Sequence, residues 1–222
     1  MALLTVKDLF DLSHTLAKEY LSSFLYPHEA LKGLKEEIAR IGATLSPDEY
    51  DFRGDFVWVA KSASVMPTAY VGPYTIIGAG TEVRHCAFIR GAALIGEGVV
   101  VGNSTEIKNA VIFDGVQIPH YNYVGDSVLG YKSHMGAGSI ASNFRSDKGN
   151  IAVYGTEGER AETGLRKIGT MLGDYAEIGC NSVLCPGSIV GRGAIVYPLS
   201  RVRGVIPANH IFKGTGSPVP KK

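Results

Sequence analysis

The chain carries six histidines (His14, His28, His85, His120, His134 and His210) and three cysteines (Cys86, Cys180 and Cys185). An imidazole titrating near operating pH can serve as a general base, taking a proton from an attacking nucleophile. Imidazoles can also hold a metal, but a three-histidine site needs two of them close in sequence, and no His-x4-His occurs. The cysteines lack metal-ligand spacing, and their odd number suits a reduced, cytoplasmic chain. No metal is expected. No Gly-Lys pair marks a P-loop, and neither a G-x-G-x-x-G turn nor a G-x-S-x-G elbow is present.

Composition narrows the classes further. A net charge of +1 leaves no concentrated basic face for nucleic acid. No apolar run reaches the length of a membrane span, and Met1–Asp8 lacks the order of a signal peptide. At 45% hydrophobic residues the chain is too apolar for disorder. Glycine, at 28 of 222 residues, is in excess and needs a cause.

The elements that would position these residues change character along the chain. Residues 5–42 read as helix, with Val6, Leu9, Phe10 and Leu12 on one face, Thr5 with Asp8 as an N-cap, and Pro27 opening a second helix that stops at Gly42. Residues 45–58 read as a connector. From Val59 aliphatic residues recur every sixth position through Val65, Val71, Ile77, Val83, Ile89, Ile95 and Val101 to Ile107. The spacing resumes at Leu172, Ile178, Leu184, Val190, Val196 and Val202. A small or β-branched residue follows most anchors by four positions, and glycine often follows by one.

A period of six cannot be an amphipathic helix. It fits a parallel β-helix, in which each hexapeptide makes one face and three faces close a coil. About six to seven coils are expected, with glycine relaxing the backbone at the corners. Two stretches interrupt the spacing, Ile112–Tyr123 and Asn143–Lys167, and interruptions of a solenoid mark loops with another purpose. The expected division is a helical segment and connector at 1–50, a β-helix at 51–206 with an inserted loop at 144–167, and a tail at 207–222.

The repeat resembles the hexapeptide-repeat family, which implies a left-handed parallel β-helix and a homotrimer; with the helical reading of the first residues, the fold expected is mainly β with a short helical N-terminal segment. A closer resemblance runs from Arg90 to Asn143. Arg90, Glu106-Ile107-Lys108-Asn109-Ala110, His120-Tyr121-Asn122-Tyr123-Val124-Gly125-Asp126, Gly136-Ala137-Gly138-Ser139 and Asn143-Phe144 match, in order and spacing, the acetyltransferase half of the bifunctional bacterial enzymes that make UDP-N-acetylglucosamine. The nucleotidyltransferase half has no counterpart in this sequence. The resemblance implies acetyl-CoA as co-substrate and an amino-sugar 1-phosphate, or a related sugar phosphate or nucleotide sugar, as acceptor.

By that resemblance His120 is the general base and Glu106 the carboxylate that orients its ring. Arg90 and Lys108 would bind the sugar phosphate, one as a fork and one as a point charge. Tyr123 would add a hydroxyl donor, and Asn143 would hold the amino sugar. Ala137, Cys180 and Lys213 would meet coenzyme A, with Arg201 and Arg203 adding charge at the same end. His134 replaces the family's asparagine 14 residues after the histidine, and Phe144-Arg145-Ser146 replaces its Tyr-Asp-Gly; both changes fall at the acceptor or acyl end of the site. Plainer readings stand beside these: His120 as a surface histidine, Arg90 and Lys108 as decoration of outer corners, Cys180 as an inert thiol. The whole could equally be a sugar-phosphate-binding or scaffold protein that keeps the site without turnover.

Overall fold

The computed structural model describes residues 3–221; the outer limits of the expected segments, residues 1–2 and 222, lie outside that range. Three parallel walls make the body. The first stacks Val57–Ala60, Thr75–Ile77, the later halves of Phe88–Ile95, Glu106–Ile112 and Tyr123–Leu129, then Thr170–Leu172, Ser188–Val190 and Val205–Ile206, eight layers in all. The second stacks Tyr70–Val71, the earlier halves of the same three long strands, then Ile140–Ala141, Val183–Leu184 and Arg201–Val202. The third runs from Ser64–Val65 through Glu82–Val83, Val100–Asn103, Gln117–His120, His134–Met135, Glu177–Ile178 and Ile195–Val196 to His210–Phe212, again eight layers. The parallel β-helix is thus longer than the repeat count implies, and its last rung lies beyond residue 206, inside the expected tail. Anchors such as Ile77, Ile95, Val101 and Ile107 are fully buried along its axis.

Ile112–Tyr123 is not a loop. Ile112, Ile118 and Val124 pair with Ile95, Val101 and Ile107, so each coil here is one residue shorter and the anchors still point inward. The missing residue explains the apparent break in spacing. It also places Arg90: Ile89 pairs with Ile107 while Gly91 pairs with Lys108, so Arg90 is the extra residue, pushed out as a bulge between the second and first walls.

The glycines after anchors have a reason other than backbone freedom. A Cβ on Gly102 would lie 1.5 Å from the Pro119 carbonyl oxygen in the next coil. Close stacking excludes the side chain there. Gly98, two residues after its anchor's glycine, is the true corner, with φ at 60°.

The second interruption is a real insertion. Across it paired positions jump from Leu129 to Leu172, 43 residues where 17 or 18 is the rule. The excess chain leaves at the corner between the second and first walls, forms an antiparallel hairpin of Ala152–Tyr154 with Arg160–Glu162, and is closed at its neck by a Phe144–Lys167 bridge.

The helical segment is broken into short pieces: Val6–Leu9, Leu12–His14, Lys18–Ser22, Pro27–Gly33 and Leu34–Gly42. Thr5 and Asp8 form the expected N-cap as a full capping box, and Pro27 opens its piece. Leu9, Leu21, Leu34 and Ile38 are fully buried against the solenoid. Asp174 pins the segment, accepting the Asp11 N–H at 2.7 Å and the Tyr131 N–H at 2.9 Å. In the expected connector, Tyr50–Phe52 pairs antiparallel with Val57–Ala60 and covers the open edge of the first coil.

Candidate functional site

The corner between the second and first walls gathers most of the expected acceptor residues. Asp126, only 4% exposed, sits at its centre. Its carboxylate accepts from Lys108 Nζ at 3.2 and 3.3 Å, from Asn109 Nδ2 at 2.8 Å and from Asn143 Nδ2. Asn143 also donates to the Tyr123 hydroxyl at 3.0 Å. A buried carboxylate needs such donors, and these fix three side chains at once. Burial pushes the Tyr123 phenol above its ordinary pKa, and the neighbouring Glu106 charge adds to it, so the hydroxyl stays a donor.

Arg90 Nη1 donates to Glu106 Oε1 at 2.9 Å, and this bond raises the guanidinium pKa further. Arg90, Lys108, Asn109 and Asp126 line an open cavity of about 670 Å³, to which Lys32 and Lys35 of the helical segment and Arg166 and Lys167 at the neck of the insertion also contribute. That size suits a small ligand.

His120 ends the strand Gln117–His120 at a different corner, between the third and second walls, with an exposed side chain. Glu106 is bonded to Arg90 and makes no hydrogen bond to His120, so the orienting partner expected for the imidazole is engaged elsewhere. The backbone at His120 is held instead by Asn122, whose Oδ1 accepts the His120 N–H at 3.1 Å. Asn122 Nδ2 in turn donates to Gly136 O and Ser139 Oγ in the next coil.

His120, Ala137 and Cys180 occupy successive layers of that one corner: Gly138 N–H reaches His120 O, Asn181 N–H reaches Ala137 O, and Leu199 N–H reaches Cys180 O. Lys213, exposed, follows the last strand of the same wall. The base candidate and the coenzyme candidates therefore share an edge of the solenoid. His134 lies apart from the acceptor cluster, on the third wall, bonded to Glu177 Oε2 at 2.9 Å. Among the described residues, no group of three or more His, Cys, Asp or Glu is placed to hold a metal ion, and no helix is long and apolar enough to cross a membrane.

Asp126 lies within the matched segment but carried no role in the sequence, because its three partners are a full coil away. Lys32, Lys35, Arg166 and Lys167 had no motif at all; in a sequence such residues read as solvated surface.

Six-residue spacing, three parallel walls and stacked anchors make this chain a hexapeptide-repeat β-solenoid. It is related in sequence to bifunctional sugar-1-phosphate nucleotidylyltransferase/acetyltransferases: 32% identical over 153 residues to the one from Sulfurisphaera tokodaii, covering 66% of this chain and 32% of that protein. It is also 36% identical over 130 residues to the bifunctional protein GlmU of Methanococcus maripaludis, covering 59% of this chain and 27% of that protein. The chain thus spans about a third of the length of these relatives. No protein-family model matches. A solved UDP-N-acetylglucosamine O-acyltransferase from Moraxella catarrhalis superposes with a TM-score of 0.41 at 14% identity, covering 70% of this chain and 68% of that one.

Proposed function

We propose that this chain is a coenzyme A-dependent acyltransferase that acetylates an amino-sugar phosphate. The carrying observation is the convergence of Arg90, Lys108, Tyr123 and Asn143 at one corner around Asp126. Arg90, Lys108 and the Tyr123 hydroxyl offer donors for the non-bridging oxygens of one phosphate, and Asn143, whose side-chain N–H groups go to Tyr123 and Asp126, offers its Oδ1 as an acceptor to the sugar. His120 takes a proton from the sugar amine as nitrogen attacks the thioester carbonyl. The carbon–sulfur bond then breaks, and the proton leaves with the coenzyme thiol. His120, Ala137 and Cys180 share an edge, which supports coenzyme binding along it, with Lys213 towards the coenzyme's phosphates. The acetyltransferase name of the Sulfurisphaera tokodaii relative supports the same reading.

The arrangement fits a homotrimer. Tyr70 and Phe88, in adjacent layers on the outer face of the second wall, are 55% and 42% exposed, and Val183, beyond Glu106, Tyr123 and Ile140 in the same column, is 40% exposed; these apolar side chains are where a second copy would pack. Assembly would bring one copy's His120 edge towards another's acceptor corner. The free thiols suit a reducing, cytoplasmic location.

The competing reading is a sugar-phosphate-binding or scaffold protein without turnover, favoured by one observation: Glu106 is bonded to Arg90 rather than to His120. Release of free thiol from acetyl-CoA with glucosamine-1-phosphate decides between them. No release with any amino-sugar phosphate would sink the enzyme reading. Sedimentation showing a stable monomer would overturn the trimer.

A further inference from the structure

The helical segment and the insertion have no part in the acyl-transfer chemistry, yet both end at the acceptor corner. Lys32 and Lys35 reach the cavity from Pro27–Gly33 and Leu34–Gly42, Arg166 and Lys167 from the neck of the insertion. The two cations of the solenoid itself are already compensated, Arg90 by Glu106 and Lys108 by Asp126. Among the described residues, none of the four added cations has an ion pair; Lys35 lies over the Tyr74 ring at 5.7 Å. Like charges brought together in a concavity repel one another unless an anion joins them. One phosphoryl group cannot be that anion for all of them. It carries about two negative charges at neutral pH, against the four unpaired cations Lys32, Lys35, Arg166 and Lys167, which leaves charge on the helices and the insertion facing further oxygens.

We propose that this cavity takes a sugar linked to a diphosphate, with one phosphoryl group at Arg90 and Lys108 and the second under Lys32, Lys35, Arg166 and Lys167. The inference rests on reading Arg90 and Lys108 as acceptor-phosphate residues. It assigns the helical segment a binding role and makes the acceptor a diphosphate-linked sugar, of which a nucleoside diphosphate-sugar is one, instead of a sugar monophosphate. Leu31, Tyr74 and Leu165 supply the apolar part of the wall.

Coenzyme A also carries a diphosphate, so the test must separate the two sources. Titration calorimetry with orthophosphate, pyrophosphate, UDP and coenzyme A, without turnover, does so. Pyrophosphate and UDP should bind at least about tenfold more tightly than orthophosphate, a difference of about 1.4 kcal/mol. Lys32→Ala/Lys35→Ala should erase that advantage and leave orthophosphate binding unchanged; both lysines are exposed, so the fold should survive. Lys32→Arg/Lys35→Arg should retain it, and Arg166→Gln should weaken it. Coenzyme A should not displace pyrophosphate. Equal affinity for the two phosphates, an advantage that survives the double variant, or displacement by coenzyme A would each overturn the proposal. Arg90→Ala, read with orthophosphate alone, tests the acceptor reading separately, and that reading can hold while the diphosphate preference fails.

Discussion

Lys108 Nζ lies 3.2 Å from Asp126 Oδ2, an ion pair between adjacent coils with the carboxylate side chain 6% exposed and the ammonium 21% exposed. The pair is unequal in what it holds. Asp126 also receives Asn109 and Asn143, whereas Lys108 has its partner in Asp126. Asp126→Ala should therefore cost about 3–5 kcal/mol, the range for breaking a buried pair and stranding its donors. Lys108→Ala leaves two amide donors on the carboxylate and should cost clearly less. Urea denaturation of the two variants checks the order, and equal losses would mean that Asp126 does not organise the corner.

The two kinds of glycine make a second, sharper comparison. Gly102 has no room for a side chain, because its Cβ would meet the Pro119 carbonyl oxygen. Gly98 has open space but a φ of 60°. Gly98→Ala should cost about 1–2 kcal/mol for the left-handed conformation alone. Gly102→Ala must push two coils apart and should cost about 3 kcal/mol or more, at or beyond the usual range for overpacking. Thermal melts of both variants check this. A mild effect at Gly102 would mean that the coils are not stacked at this spacing.

Much of the solenoid was legible because its core obeys a local rule: anchors such as Ile77 and Ile95 announce themselves by spacing alone. Less legible is a change of one residue per coil. Ile112–Tyr123 looked like a loop because Ile107 to Ile112 is a five-residue step, though Ile112, Ile118 and Val124 are again six apart. Arg90, Lys108, Tyr123 and Asn143 were found through a motif, and they do converge. Their organiser, Asp126, was not assigned, because its contacts span 17 and 18 residues and leave no local pattern. The pairing of Glu106 with Arg90 instead of His120 was equally hidden, since both side chains can donate to one carboxylate and the bulge at Arg90 is a feature of strand register, not of local sequence. Lys32 and Lys35 were beyond reach, because a lysine that faces a cavity and one that faces solvent are identical in sequence.

His28 gives a pH test of the helical segment. It is buried in Pro27–Gly33, stacked on Tyr26, and burial lowers its pKa, with the Glu29 charge opposing. The folded state thus prefers the neutral ring, while the unfolded chain protonates near pH 6.5. Stability from this group is complete above that value and is lost as pH falls through the lower folded pKa. Melting temperature should fall from pH 7.5 to pH 5, and the slope should be shallower in His28→Phe. If the variant keeps the full slope, another group carries the acid sensitivity.

His120 and Arg90 should separate in kinetics, because they stand at different corners with different tasks. Arg90 and its phosphate contact exist before and during reaction, so Arg90→Ala should raise the KM for the acceptor about tenfold or more with a smaller change in kcat. His120 acts only when the amine loses its proton, so His120→Ala should lower kcat by about 10²–10⁴ and leave the acceptor KM nearly unchanged. The exposed His120 side chain has no hydrogen-bond partner among the described residues, so its removal should not disturb the fold. Thiol-release kinetics on matched, sedimentation-checked samples measure both. If His120→Ala retains full kcat, the base lies elsewhere; if it changes KM alone, His120 is a binding residue and the proton goes to another group.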